Sequence, residues 1–148
     1  MKKICIVGCG KKKVWDNEKS ESSINAKDIY TGVFTHKCIQ YAQKFYKNSY
    51  YILSAKYGFL FPDESVKGPY NECFHKKNSN PISTEELLKQ INDYDLNNCE
   101  KIVVLGGKYY TELIKNLFPQ KEVINPLEGC KGIGQMIKKL NELINNNA

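Results

Sequence analysis

A chain of 148 residues with 41% apolar residues and a net charge of +6 is long enough to bury a core without metal or disulfide staples, and it reads as one domain. No apolar run reaches the length of a membrane span, and the first residues lead into a strand-like pattern rather than a signal peptide, so a cytoplasmic protein without membrane contact is expected. The six cysteines, Cys5, Cys9, Cys38, Cys73, Cys99 and Cys130, contain no C-x-x-C pair, which favours buried or reactive thiols over disulfides.

Lys3 to Val7 is a short apolar run stopped by Gly8-Cys9-Gly10, the pattern of a buried strand and a turn. Residues 11 to 32 are polar and aperiodic, a long loop. Phe34, Cys38, Tyr41, Ala42 and Phe45 then recur at helical spacing. A second buried strand is expected over Tyr50 to Ala55, ending at Lys56-Tyr57-Gly58. The loop that follows runs to Pro81, long enough to suggest a binding segment. At its end Ser83-Thr84-Glu85-Glu86 forms a capping box, with Ile82 and Leu87 placed as a hydrophobic staple.

Lys101 to Leu105 is a third strand broken by Gly106-Gly107, and Tyr110, Leu113, Ile114 and Leu117 mark a third helix. Glu122 to Asn125 is a weaker fourth strand, and Ile133, Met136, Ile137, Leu140, Leu143 and Ile144 give a final amphipathic helix. Strands alternating with helices imply a parallel sheet between helix layers. A three-layer α/β sandwich around a mainly parallel sheet of about four strands is expected.

In such a sheet, ligands sit outside the C-terminal strand ends, where loops meet and helix N-termini offer free N–H groups. The unusual residues collect there: Cys9-Gly10-Lys11-Lys12-Lys13 after strand one, Ser54, Lys56 and Tyr57 after strand two, Gly106, Gly107 and Tyr109 after strand three, and Pro126, Gly134 and Gln135 after strand four. Glycines admit a ligand close to the backbone, and lysines supply charge for phosphate. The lysine triplet competes with a plain turn carrying solvated charge, and it matches neither the dinucleotide fingerprint nor the P-loop. Ser54 and Lys56 suit either a serine-lysine nucleophile or a lysine that holds an anion. Asp63 and Asp28 are the expected catalytic carboxylates, with Tyr30 and Tyr70 beside them to bind substrate. Cys9, in a glycine turn beside lysines, would have a lowered pKa if exposed.

Every basic residue is lysine, which removes the bidentate fork best suited to base or phosphate readout and weakens the overall charge as a signal. Neither a metal nor a cofactor is expected; Cys9 or Cys73 with His75 matches no recurrent zinc spacing.

Taken together, Cys9-Gly10-Lys11-Lys12-Lys13, Ala26-Lys27-Asp28-Ile29-Tyr30-Thr31-Gly32, Leu53-Ser54-Ala55-Lys56-Tyr57-Gly58, Leu105-Gly106-Gly107 with Tyr109, and Pro126-Leu127 with Gly132-Ile133-Gly134-Gln135-Met136 resemble a small bacterial and phage family of unknown function, DUF6884. The chain is more distantly similar to the uracil-DNA-glycosylase-like fold and to domains attached to tRNA-guanine transglycosylases. Asn125-Pro126-Leu127 stands where those glycosylases carry a histidine-proline-serine segment. That likeness implies a nucleoside, nucleotide or nucleic acid as partner. The expected activity is hydrolysis or exchange of an N-glycosidic bond, and the alternative is a non-catalytic nucleotide or small-anion binding module at the same edge.

Overall fold

The computed structural model describes residues 2–10, 13, 15, 23–74 and 79–146. The first strand, β1 (Lys3–Gly8), is buried along all but its first residue. Parallel strands flank it on both sides, β3 (Tyr50–Ser54) and β6 (Lys101–Leu105). Residues of β1 alternate between two cores, as a strand's twofold period requires. Cys5 and Val7 join Ile52, Val103, Leu105, Ile39, Ala42 and Leu140 on one face. On the other, Ile4 and Ile6 join Leu53, Ile102, Val104, Leu87, Ile91 and Ile114.

The first face is covered by α2 (Val33–Phe45) and α5 (Ile133–Asn145), the second by α3 (Thr84–Asp93) and α4 (Lys108–Leu117). The architecture is a three-layer α/β sandwich. Helix α3 starts where the capping pattern places it: the Ser83 side chain accepts from the Glu86 N–H at 3.1 Å, and Ile82 packs on the core that holds Leu87. Ser83→Ala should cost about 1 kcal/mol in chemical denaturation through loss of that bond.

Two more strands complete the sheet, β7 (Glu122–Ile124) parallel to β6 and β4 (Gly58–Leu60) antiparallel to β3. The five strands run in the order β4-β3-β1-β6-β7. The tight return at Lys56-Tyr57 depends on Gly58. Its φ is +78°, and a Cβ there would stand 2.1 Å from Gln90 Oε1. That side chain accepts from Phe59 N and donates to Tyr57 O, locking the hairpin to α3.

Described parts of the two long loops pair with each other as β2 (Ser23–Asn25) and β5 (Ser65–Lys67), and a short helix α1 (Ala26–Ile29) leads from β2 to Tyr30. Strand order reverses between β1 and β6, so the crevice outside those two C-terminal ends is the topological switch point where open α/β sheets hold ligands.

Candidate functional site

At the switch point β1 runs out into Cys9 and Gly10, and β6 into Gly106 and Gly107. The glycines are there largely for a ring of the protein itself. A Cβ on Gly8 would lie 2.7 Å from the Tyr110 ring and one on Gly106 3.1 Å from it, so the two strand ends together seat Tyr110. Gly10 makes the same room for Thr35 of α2, whose Oγ1 would be 2.4 Å from an added Cβ. At Gly107 an added Cβ meets open space.

The Tyr110 hydroxyl donates to the Cys9 carbonyl at 3.1 Å and lies 3.2 Å from Cys9 Sγ. Its proton is committed to the carbonyl, so a protonated Cys9 thiol donates to the Tyr110 oxygen. Burial pushes the Cys9 thiol up from its ordinary range. The Tyr110 hydrogen bond, a backbone N–H and the charge of Lys13 offset this only in part. The thiol is half-buried and not activated, the opposite of what an exposed cysteine in that turn would show.

A second set of hydroxyls sits beside it. Ser54, fully buried at the end of β3, accepts from Lys56 N and Tyr57 N and donates to the Tyr70 hydroxyl at 3.1 Å. Tyr70 in turn is hydrogen-bonded to the buried Tyr30. Burial raises both phenols. The Lys13 ammonium, itself buried, stands 4.8 Å from the centroid of the Tyr70 ring. Tyr57 meets Tyr70 edge-on at 5.6 Å and donates to Lys67 O at 2.5 Å. Around the Tyr110 ring, Phe74, Tyr109 and Tyr110 form a mutual cluster with centroids 5.7 to 6.0 Å apart.

Between β6, β7 and the first turn of α4 the edge opens into a cavity of about 450 Å³, lined among others by Gly106, Gly107, Lys108, Asn125 and Cys130. Asn125 shapes its floor, donating to Thr111 Oγ1 at 3.0 Å and accepting from Leu127 N at 2.9 Å.

The sequence-derived residues divide accordingly. Cys9, Gly10, Tyr30, Ser54, Tyr57, Tyr70, Gly106, Gly107 and Tyr109 lie at this edge. Ser54 and Lys56 do not face each other. The serine is turned inward onto backbone N–H groups, while Lys56 is exposed over the Tyr57 ring and 4.0 Å from Glu72. Gln135 heads α5 and accepts from Lys131 N at 2.7 Å, a local cap, and Gly134 and Pro126 do not line the cavity. Lys11, Lys12 and His75 lie outside the described residues.

Asp63 and Asp28 are not at the edge with the others. Antiparallel β4 carries the chain back along the sheet, so Asp63 emerges next to Tyr50, at the N-terminal strand edge. There it is exposed and paired with Lys27 at 2.8 Å, and Asp28 is felt by the same Lys27 and Tyr50. Asp63, Lys27 and Tyr50 border a separate cavity of about 520 Å³ together with Gln43, Lys47 and Asn48.

One residue of the crevice escaped the sequence reading: Glu72 sits in a polar loop with no periodicity. Tyr110 and Lys13 stand at the strand ends the sequence marks, but the seat that two glycines make for the Tyr110 ring and the burial of Lys13 were not read there. Among the described residues no group of three His, Cys, Asp or Glu could hold a metal, and no helix is long and apolar enough to cross a membrane. All six cysteines are free thiols.

A profile described as a family of unknown function, DUF6884, matches residues 4–142. The chain is 37% identical over 145 residues to the uncharacterized protein YfjM of Bacillus subtilis strain 168, covering 97% of this chain and 96% of that one. No solved structure matches significantly.

Proposed function

We propose, for a chain that belongs to the DUF6884 family, a nucleoside- or nucleotide-directed protein that takes its ligand in the crevice at the ends of β1 and β6. The observation that carries this reading is an open cavity at the N-terminus of a ten-residue helix, lined by Gly106, Gly107 and Lys108, with the Phe74/Tyr109/Tyr110 cluster built on the same first turn. A flat, polar-edged base suits aromatic walls lined with hydroxyls. A phosphate or sugar oxygen suits the unpaired N–H groups at Gly107 and Lys108, with the Lys108 ammonium beside them.

Binding without turnover is the version this geometry favours. Glycosidic cleavage needs a carboxylate to orient water as positive charge develops on the sugar. Asp63 and Asp28 both stand at the opposite edge. A cleaving version would rest on Glu72, half-buried beside Lys56, or on Glu112 and Glu128, which line the cavity itself.

The experiment is a thermal-shift and native mass spectrometry screen of nucleobases, nucleosides and nucleotides, followed by prolonged incubation and chromatography for released base. Saturable stabilisation of several degrees by one of these classes, reduced in Tyr109→Ala and Lys108→Gln, is expected. Released base that disappears in Glu72→Gln would make the protein a hydrolase. Absence of stabilisation by every member of the screen would end the reading.

A further inference from the structure

The opposite edge of the sheet has chemistry of its own, independent of any ligand at the crevice. The N-terminal strand ends carry lysines: Lys2 and Lys3 lead into β1, Lys101 opens β6 and Lys121 precedes β7. The strand order places these three starts side by side, about 4.8 Å apart. Lys3 and Lys101 are paired in register on adjacent strands, where like charges oppose each other unfavourably. Lys2 and Lys121 converge as well, since both charges act on the Cys99 thiol that burial pushes up.

Glu100 and Glu122 flank the row, and Glu122 is in register with Lys101. Neither forms an ion pair with these lysines. Among the described residues the ion pairs are Lys27–Asp63 and Lys56–Glu72. A fold that lines up four lysines and leaves them without a carboxylate partner is prepared for an outside anion.

Two aromatic rings stand at the same edge, across β3 from the lysines and on the α3 side of the sheet. Past β4, at this edge, Phe61 is 42% exposed, and its ring packs 5.3 Å from that of Tyr94, 38% exposed at the end of α3. Edge-on contact of Phe61 with the buried Tyr51 at 5.4 Å fixes the pair in place. The edge therefore presents a rigid, solvent-facing aromatic pair at one end and a lysine row at the other.

We infer that the N-terminal sheet edge binds single-stranded nucleic acid, with unstacked bases on Phe61 and Tyr94 and backbone phosphates along Lys2, Lys3, Lys101 and Lys121. Single strands are held by this combination, because every base has a face to stack and every linkage a charge to neutralise. A duplex hides its base faces and would leave the rings unused. The aromatic pair is too small to anchor in a bilayer, and an acidic peptide offers no rings to stack in succession.

The test is fluorescence anisotropy with a fluorescein-labelled oligothymidylate across a potassium chloride series. Four phosphate contacts predict a slope of log affinity on log salt of about −3. Replacing the four lysines together by glutamine should weaken binding at least roughly tenfold and flatten the slope. Phe61→Ala and Tyr94→Ala should each weaken it roughly tenfold with the slope unchanged. If Phe61→Ala melts below the assay temperature, Tyr94→Ala carries that arm.

No binding at low salt would overturn the inference. So would an unchanged slope in the glutamine variant, which would move the phosphates to other lysines. Equal affinity for dextran sulfate with no loss in the ring variants would reduce the edge to general polyanion attraction. None of these outcomes bears on ligand binding at the crevice, which the thermal-shift screen reads separately.

Discussion

Gly8→Ala is expected to lower stability by about 1–3 kcal/mol, the scale of overpacking a filled core. The methyl group would enter at 2.7 Å from the Tyr110 ring, and β1 lies between two strands, so neither side yields easily. Tyr110 would have to move, breaking its hydroxyl's contacts with the Cys9 carbonyl and thiol and shifting the Phe74/Tyr109 wall. Stability and crevice binding should therefore fall together. The cause can be isolated with Tyr110→Leu. In that background the Gly8→Ala penalty should shrink, a coupling that independent sites would not show. Gly134→Ala gives the opposite sign. It lies within α5 with nothing near its added Cβ, so replacing a flexible residue in a helix should stabilise by about 0.5–1 kcal/mol. Equal and additive losses at both glycines in urea denaturation would mean that the glycines serve backbone freedom rather than the seat of Tyr110.

Elements whose apolar pattern is set by burial were readable in the sequence. Lys3 to Val7 and Lys101 to Leu105 are nearly continuous apolar runs because both faces of these strands are covered. The start of α3 was readable because capping is a local matter of Ser83, Glu86 and Ile82. Strands β2, β4 and β5 were not. Each is three residues long, too short for a period to show, and β2 and β5 exist only because two loops far apart in the chain meet.

That limit also decided where the candidate site was legible. The strand-end residues could be placed at one edge, since a parallel sheet puts its C-terminal ends together. Asp63 was misplaced by a single hidden feature, the antiparallel return of β4, which carries the chain to the other edge at Asp63 before it comes back to the crevice at Tyr70. The roles of the glycines were hidden for another reason. Their neighbours Tyr110 and Thr35 are remote in sequence, so close approach of a side chain and close approach of a ligand leave the same mark on the chain.

Raising pH from 7.5 to about 10.5 should lower the melting temperature steeply, through thiols and phenols that folding keeps protonated. Burial raises Cys5 well above its usual range, and pushes Cys38 up to about 12; Tyr30, Tyr70 and Tyr110 are raised as well. In the unfolded chain these groups ionise near about 8.5 for cysteine and about 10 for tyrosine. A raised folded-state pKa stabilises below the unfolded value, and that stability is lost as pH climbs past it, because the unfolded chain then releases protons the native state retains. The loss begins near pH 8.5 with the thiols and is joined near pH 10 by the phenols. Each thiol that stays protonated costs about 1.4 kcal/mol per pH unit, so two of them two units above their unfolded value remove roughly 5 kcal/mol, comparable to the whole stability of an ordinary domain. Lysines also titrate toward the top of this range, so the decisive comparison is with Cys5→Ala and Cys38→Ala. Both variants should melt lower than the parent at pH 7.5 for loss of packing, yet fall less between pH 8.5 and 10. Parallel curves for parent and variants would mean that these thiols reach water in the folded protein and that the core between β1 and α2 is looser than its burial implies.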